Sequence, residues 1–259
     1  DYIMIGGSQS SEPITGLAIA YGYLLIFKRK SIYAISGTSE SDFTLTQVAD
    51  GVGALFNGCV VNAVSDVYFL SSDGVYKIGS DLKPAKISDR IDPRFSAFLS
   101  GVNESTCVNI PRFAYNPYKK QVWLSIDYNI DDVYERVLVF DLAVMDGTGR
   151  PSISEYYFYK SDTLNINPRL FSHFESGGIT RLISTNASGY IYKHDCDTSE
   201  DATGDDGEVV EWEYQTKYLN LGDPFRLKTL RYYTLFGTLS SGSNQNSSRV
   251  NYKFTPSSN

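Results

Sequence analysis

Val67-Tyr68-Phe69-Leu70-Ser71-Ser72-Asp73-Gly74-Val75-Tyr76-Lys77-Ile78 reads as two short strands rich in β-branched and aromatic residues on either side of a polar turn. Asp73-Gly74 supplies a residue that tolerates positive φ between the two runs, a strong local signal for a hairpin. The same design recurs three more times: residues 24–27 with 32–35, 122–126 with 137–140, and 182–184 with 190–192. The fourth copy turns through Asn186-Ala187-Ser188-Gly189, the third through a longer acidic excursion at 127–135, and the first through Lys28-Arg29-Lys30-Ser31, which lacks Gly and so needs a wider loop. Successive first strands begin about 43, 55 and 60 residues apart, which implies loop insertions between units.

Further strands are expected at 43–48, 59–61, 112–115, 154–159 and 169–172, giving three or four strands per unit. Sheets of that size repeated along a chain suggest radial or stacked β architecture, in which each unit covers a face its neighbour leaves bare. After an acidic stretch the pattern changes to longer strands at 209–219, 229–237 and 248–254. The expected fold is therefore all-β: β-propeller-like repeats over 1–196, followed by a smaller β-sandwich-like or closing-blade module over 209–259. Helical periodicity is absent apart from one or two turns at 92–99. The 20 Tyr and 14 Phe suit half-buried pleated surfaces, and most of them are expected in cores.

A chain of 259 residues is long enough for one large β domain with a small appendage. Its net charge of −7 argues against a general nucleic-acid binder, which would show a basic face. Lys28-Arg29-Lys30 is the exception, and is expected to be a solvated hairpin tip. Cys59, Cys107 and Cys196 are odd in number and widely spaced, which implies neither a disulfide framework nor a zinc ribbon, and points to assembly in a reducing cytoplasm. No apolar run approaches the length of a membrane span, and no leader is evident. The chain opens on Asp1, inside what reads as a strand at 2–5, as expected for a piece of a longer polypeptide with repeats upstream.

Chemistry has few candidates. His194 lies beside Asp195, Cys196 and Asp197, but one His and one Cys two residues apart leave two zinc ligands unnamed. Pairing of a Cys with His173 has no local motif behind it. The acidic run 195–208 has calcium-friendly oxygens, yet its carboxylates fall out of EF-hand register. Asp127, Asp131, Asp132 and Glu135 share one loop, and Trp123 or Tyr128 could stack on a sugar, but nothing separates an acid from a nucleophile. Lipase-type, zincin, P-loop and dinucleotide signatures are missing, and Gly51-Val52-Gly53 reads as a turn into the next unit. No catalytic, cofactor-binding or metal-binding residue is therefore assigned, and the chain is expected not to be an enzyme.

The series Ile14-Thr15-Gly16-Leu17-Ala18, Leu24-Leu25-Ile26-Phe27, Ser31-Ile32-Tyr33, Ser36-Gly37-Thr38, Phe43-Thr44-Leu45, Gly51-Val52-Gly53 and the hairpin from Val67 resembles the propeller repeats of tailed-bacteriophage tail proteins. The stretch Tyr214-Gln215-Thr216-Lys217-Tyr218-Leu219-Asn220-Leu221-Gly222-Asp223-Pro224-Phe225-Arg226-Leu227-Lys228 is similar to the segment C-terminal to the propeller in such proteins. The resemblance covers about 14–78 and 212–236 and carries no catalytic residue. It implies a structural virion protein, the nozzle or tail tube of a short-tailed phage, with six copies ringing the channel through which DNA leaves. The implied partners are its own copies and other tail or portal-adaptor proteins, with DNA passing through unbound. A negative channel would let phosphates slide. Tyr156-Tyr157-Phe158-Tyr159, with aromatics on both faces of a strand, is expected either as an interface or as a central strand buried on both faces. The alternative is a tail protein that binds or degrades carbohydrate.

Overall fold

Alternation decides where each strand lies, and burial follows it. In the computed structural model the described residues are 4–6, 12–39, 41–91, 95, 99, 110–126, 136–157, 168–186 and 189–194. The chain divides into two compact units, Asp1–Asp195 and Cys196–Asn259, and every described residue belongs to the first. The module expected at 209–259, the acidic run 195–208 and the third turn at 127–135 lie outside the described residues.

Strands β1 (Gly16–Ala20), β2 (Tyr23–Phe27), β3 (Ser31–Ser36) and β4 (Thr44–Asp50) form the first sheet. The second contains β5 (Val60–Ala63), β6 (Asp66–Ser71), β7 (Gly74–Ile78) and β8 (Pro84–Lys86). In the third are β9 (Arg112–Asn116), β10 (Gln121–Ile126), β11 (Arg136–Met145) and β12 (Pro151–Tyr157), and in the fourth β13 (Leu170–Ser176), β14 (Ile179–Thr185) and β15 (Ile191–Lys193). Each sheet is an antiparallel meander whose spatial order is its chain order. The fold of the described residues is all-β, with a 3-10 turn at Asp89–Ile91 and helical backbone at Phe95 and Leu99. Those two residues fall within the expected turn at 92–99, whose other positions lie outside the described residues.

The leading hairpin pairs Val67 with Ile78 through Ser71 with Gly74. Ser72 and Asp73 make the turn, and Gly74 opens β7 at φ 147°. Strand β1 and its turn escaped the sequence reading: Tyr21 and Gly22 both have positive φ, at 54° and 80°, as a two-residue type I′ turn requires. Strand β8 was missed, β12 begins before residue 154, and β13 runs on to Ser176. The expected strand at 2–5 does not form where it is described, since Ile5 and Gly6 are in a turn.

Three cores lie between successive sheets. Leu25, Phe27, Ile32 and Ala34 of the first meet Val67, Phe69 and Ile78 of the second. Tyr68, Leu70 and Val75 on the opposite face of the second meet Val122, Leu124, Leu138 and Phe140 of the third, and Phe95 joins this core. Trp123, Val137 and Val139 on the other face of the third then meet Leu182, Phe171 and Tyr192 of the fourth. Each fully buried Leu, Val or Phe contributes about 1.5 to 3 kcal/mol relative to its exposed state.

Candidate functional site

The first strand of each sheet has one edge without a ladder partner in its own meander, and these edges come together. Strand β1 packs beside β5, β5 beside β9, and β9 beside β13. At the first joint only a small residue fits, because a Cβ on Gly16 would lie 2.6 Å from Val60 Cγ2. Asn62 Nδ2 crosses it to donate to Ile19 O at 2.7 Å, and Thr15 Oγ1 donates to Ala54 O at 2.7 Å.

The second joint repeats the device with Arg112 Nη1, which donates to Asn57 O at 2.5 Å while Phe113 N donates to Gly58 O at 3.1 Å. Gly58 sits at φ 86°, and a Cβ there would lie 2.3 Å from Arg112 Nη1. At the third joint His173 Nε2 lies 2.7 Å from Tyr115 O. A carbonyl only accepts, so this nitrogen carries the proton. In all three joints a side chain on the later strand reaches a carbonyl on or just before the earlier one. Sequence reading could not find this seam, since Asn62, Arg112 and His173 share neither residue type nor spacing.

At one end of the first joint an open cleft of 370 Å³ is lined by Tyr21, Asp66, Lys77, Gly79, Ser80, Asp81, Lys83 and Ala85. Tyr21 donates its hydroxyl to Asp66 Oδ1, and Lys77 Nζ lies 3.2 Å from Asp66 Oδ2. The hydrogen bond to Asp66 is the main cause that raises the Tyr21 pKa above its usual value, with burial next. Tyr21 therefore stays a neutral donor at physiological pH, and both oxygens of Asp66 are engaged. That chemistry suits hydrogen bonding rather than proton abstraction.

The residues singled out in the sequence are dispersed. His194 is buried, its Nε2 2.8 Å from Ser184 Oγ and its ring 5.0 Å from that of Trp123. Trp123 is itself only 2% exposed and donates from Nε1 to Gln121 Oε1 at 3.2 Å, so it is not a platform for sugar. Tyr156 is partly buried and packs edge-on to Trp123 with centroids 5.6 Å apart, at the margin of the third core. Its strand, β12, lies at the margin of its sheet; Phe158 and Tyr159 lie outside the described residues, as do Asp127, Tyr128, Asp131, Asp132, Glu135, Cys107 and Cys196.

The expected solvated tip holds for Lys30, which is exposed, but not for Lys28. It is 3% exposed, its Nζ donates to Ile5 O at 2.7 Å, and it lies 5.9 Å over the Tyr33 ring. Gly53 packs against the backbone of the same tip, so closely that a Cβ there would fall 2.1 Å from Lys28 O. Gly51-Val52-Gly53 is thus a structural turn. Cys59 is buried, its Sγ donates to Pro111 O at 3.1 Å, and burial pushes its thiol up to about 12. Among the described residues no three His, Cys, Asp or Glu gather to hold a metal, and no helix is long and apolar enough to cross a membrane. Comparison with known protein families found none that matches the chain, and comparison with curated proteins found no match either.

Proposed function

We propose that the chain is a structural protein of a bacteriophage tail, built on a β-propeller and assembled in the host cytoplasm into a ring around the channel for DNA ejection. The observation that carries this reading is the seam: four consecutive meanders are joined first strand to first strand. Propeller blades are arranged in this way about their axis. The sequence resemblance supplies the tail and the expected copy number of six. The partners are further copies of the chain and the adjoining tail or portal-adaptor proteins, and DNA passes without specific contacts.

The test is imaging of the full chain in solution and its detection in purified phage particles by labelled antibody. Rings with a central opening, and label on the tail, are expected. A protein absent from every particle overturns the tail assignment. Label on the tail without rings, together with binding on a glycan array, would favour the carbohydrate-binding alternative. Substituting Lys for acids that line the channel should slow ejection, and unchanged kinetics would exclude a role for charge in DNA sliding.

A further inference from the structure

The cleft beside Tyr21 has more hydrogen-bonding capacity than its own contacts use. Lys77 meets Asp66 with part of its ammonium, and Asp81 Oδ1 accepts from Lys83 N at 3.2 Å. The rest of the Lys77 ammonium and Asp81 Oδ2 remain. The Lys83 ammonium and the Ser80 hydroxyl make no hydrogen bond or ion pair among the described residues. Gly79 lies between the two carboxylates. A Cβ there would come within 3.8 Å of Asp81 Oδ1 and 3.9 Å of Asp66 Oδ1, so glycine keeps the floor between them clear. Tyr21 is 37% exposed and adds an aromatic ring to the wall.

The backbone around the cleft is strained. Among the described residues four other than glycine have positive φ, and three of them adjoin this site. Tyr21 lines it, Val64 stands two residues before Asp66, and Leu82 lies between Asp81 and Lys83. Such conformations are costly for bulky side chains and gather at ligand clamps.

We propose that this cleft binds a pyranose ring of an uncharged saccharide, with Tyr21 against the apolar face of the sugar and Lys77, Ser80, Asp81 and Lys83 bonding its hydroxyls. The proposal is independent of the tail assignment and of the propeller reading. Charge narrows the ligand first. Asp66 and Asp81 balance Lys77 and Lys83, so the cleft draws in neither anions nor cations. A divalent cation needs several free oxygens, and both of those on Asp66 are engaged. An apolar ligand would find only Ala85 and the Tyr21 ring. A sugar uses the whole set, because each hydroxyl both donates and accepts and the ring carbons present an apolar face. Size agrees: 370 Å³ is near the lower end of small-molecule sites, about 300 to 1,000 Å³.

The test uses the full chain, with the methyl glycosides of glucose, galactose, mannose and N-acetylglucosamine as probes in saturation-transfer NMR. Inorganic phosphate and glycine serve as anionic and zwitterionic competitors. At least one glycoside should bind with a Kd of about 1 mM, as expected for a ligand of this size. Neither competitor, at equal concentration, should displace it. Tyr21→Ala should abolish the signal, and Lys83→Ala should weaken binding about 5-fold. Lys83 has no partner to lose, so the melting temperature of its variant should match that of the unaltered chain. Lys30→Ala, on the exposed tip of the first hairpin, should leave binding unchanged.

Three results overturn the proposal. One is the absence of saturation transfer to every glycoside. Another is binding that both Tyr21→Ala and Lys83→Ala leave intact, which places the sugar elsewhere on the chain. The third is displacement by phosphate or by glycine, which assigns the cleft to an anion or to a zwitterion. Absence from phage particles would remove the tail assignment and leave this site untouched.

Discussion

Strands β6 and β10 stand in the middle of the sheet series, and β4 and β13 belong to its two ends. In β6, Val67 through Ser71 are all buried, and all six residues of β10 are buried. In β4 four consecutive residues are exposed, and in β13 six of seven are. Composition explains the contrast. Asp-Val-Tyr-Phe-Leu-Ser offers apolar groups to both faces, whereas Thr-Leu-Thr-Gln-Val-Ala-Asp and Leu-Phe-Ser-His-Phe-Glu-Ser alternate. A strand between two cores must be apolar in both registers, and one with a single core need not be. Burial on both faces therefore marks a strand that lies inside its sheet and between two cores, as β6 and β10 do and the edge strands β4 and β13 do not.

This contrast would break if end and middle substitutions cost the same. Phe140→Ala, in the middle, should destabilise by about 3 to 5 kcal/mol in urea unfolding, and Leu17→Ala, at the end, by no more than about 0.5 kcal/mol. Joints should fall between. Gly16→Ala forces Val60 away from the first joint and should cost about 1 to 3 kcal/mol, read in the same unfolding curves. A Gly16→Ala protein as stable as the parent would mean that the joint is loose.

Val64 sharpens the comparison from the other side. It sits at φ 59° and is 74% exposed, a strained conformation for a β-branched residue with no packing to compensate. Val64→Gly should raise stability by about 1 kcal/mol, visible as a higher melting temperature.

The smallest effect concerns pH. Hydrogen bonds from Thr148 and the backbone of Arg150 hold Asp146 at about 2, with Arg90 assisting at 2.6 Å. A carboxylate whose folded pKa is depressed adds stability that is fully present above its unfolded value near 3.8 and is lost as pH falls through about 2. Asp146 is partly exposed, so Asp146→Asn should lower stability only slightly, with the whole difference present between about pH 6 and 8 and vanishing as pH falls through about 2, in parallel acid titrations.

How much of this was legible depends on what each residue signals locally. The hairpins from Leu24, Val67, Val122 and Leu182 were readable, since apolar alternation and turn residues fix them within a few positions. Strand β1 was not, because Gly16-Leu17-Ala18-Ile19-Ala20 has small residues of low strand propensity on its inner face, where Gly16 leaves room for Val60. The burial of Lys28 was equally hidden, because its ammonium reaches Ile5 O, 23 positions earlier, and the Tyr33 ring. Asn62, Arg112 and His173 were invisible as a set, because their common property is the carbonyl each reaches.

Those three crossings also have a mechanical meaning. Within each sheet a pull along the strands is shared by a ladder of hydrogen bonds, whereas at each joint the polar load rests on one side chain and its neighbours, backed by an apolar core. Under tension between distant points of the series, the joints should yield before the ladders. Extension would then proceed sheet by sheet, in separate steps, and a slackened joint could reseat without any strand having to find its register again.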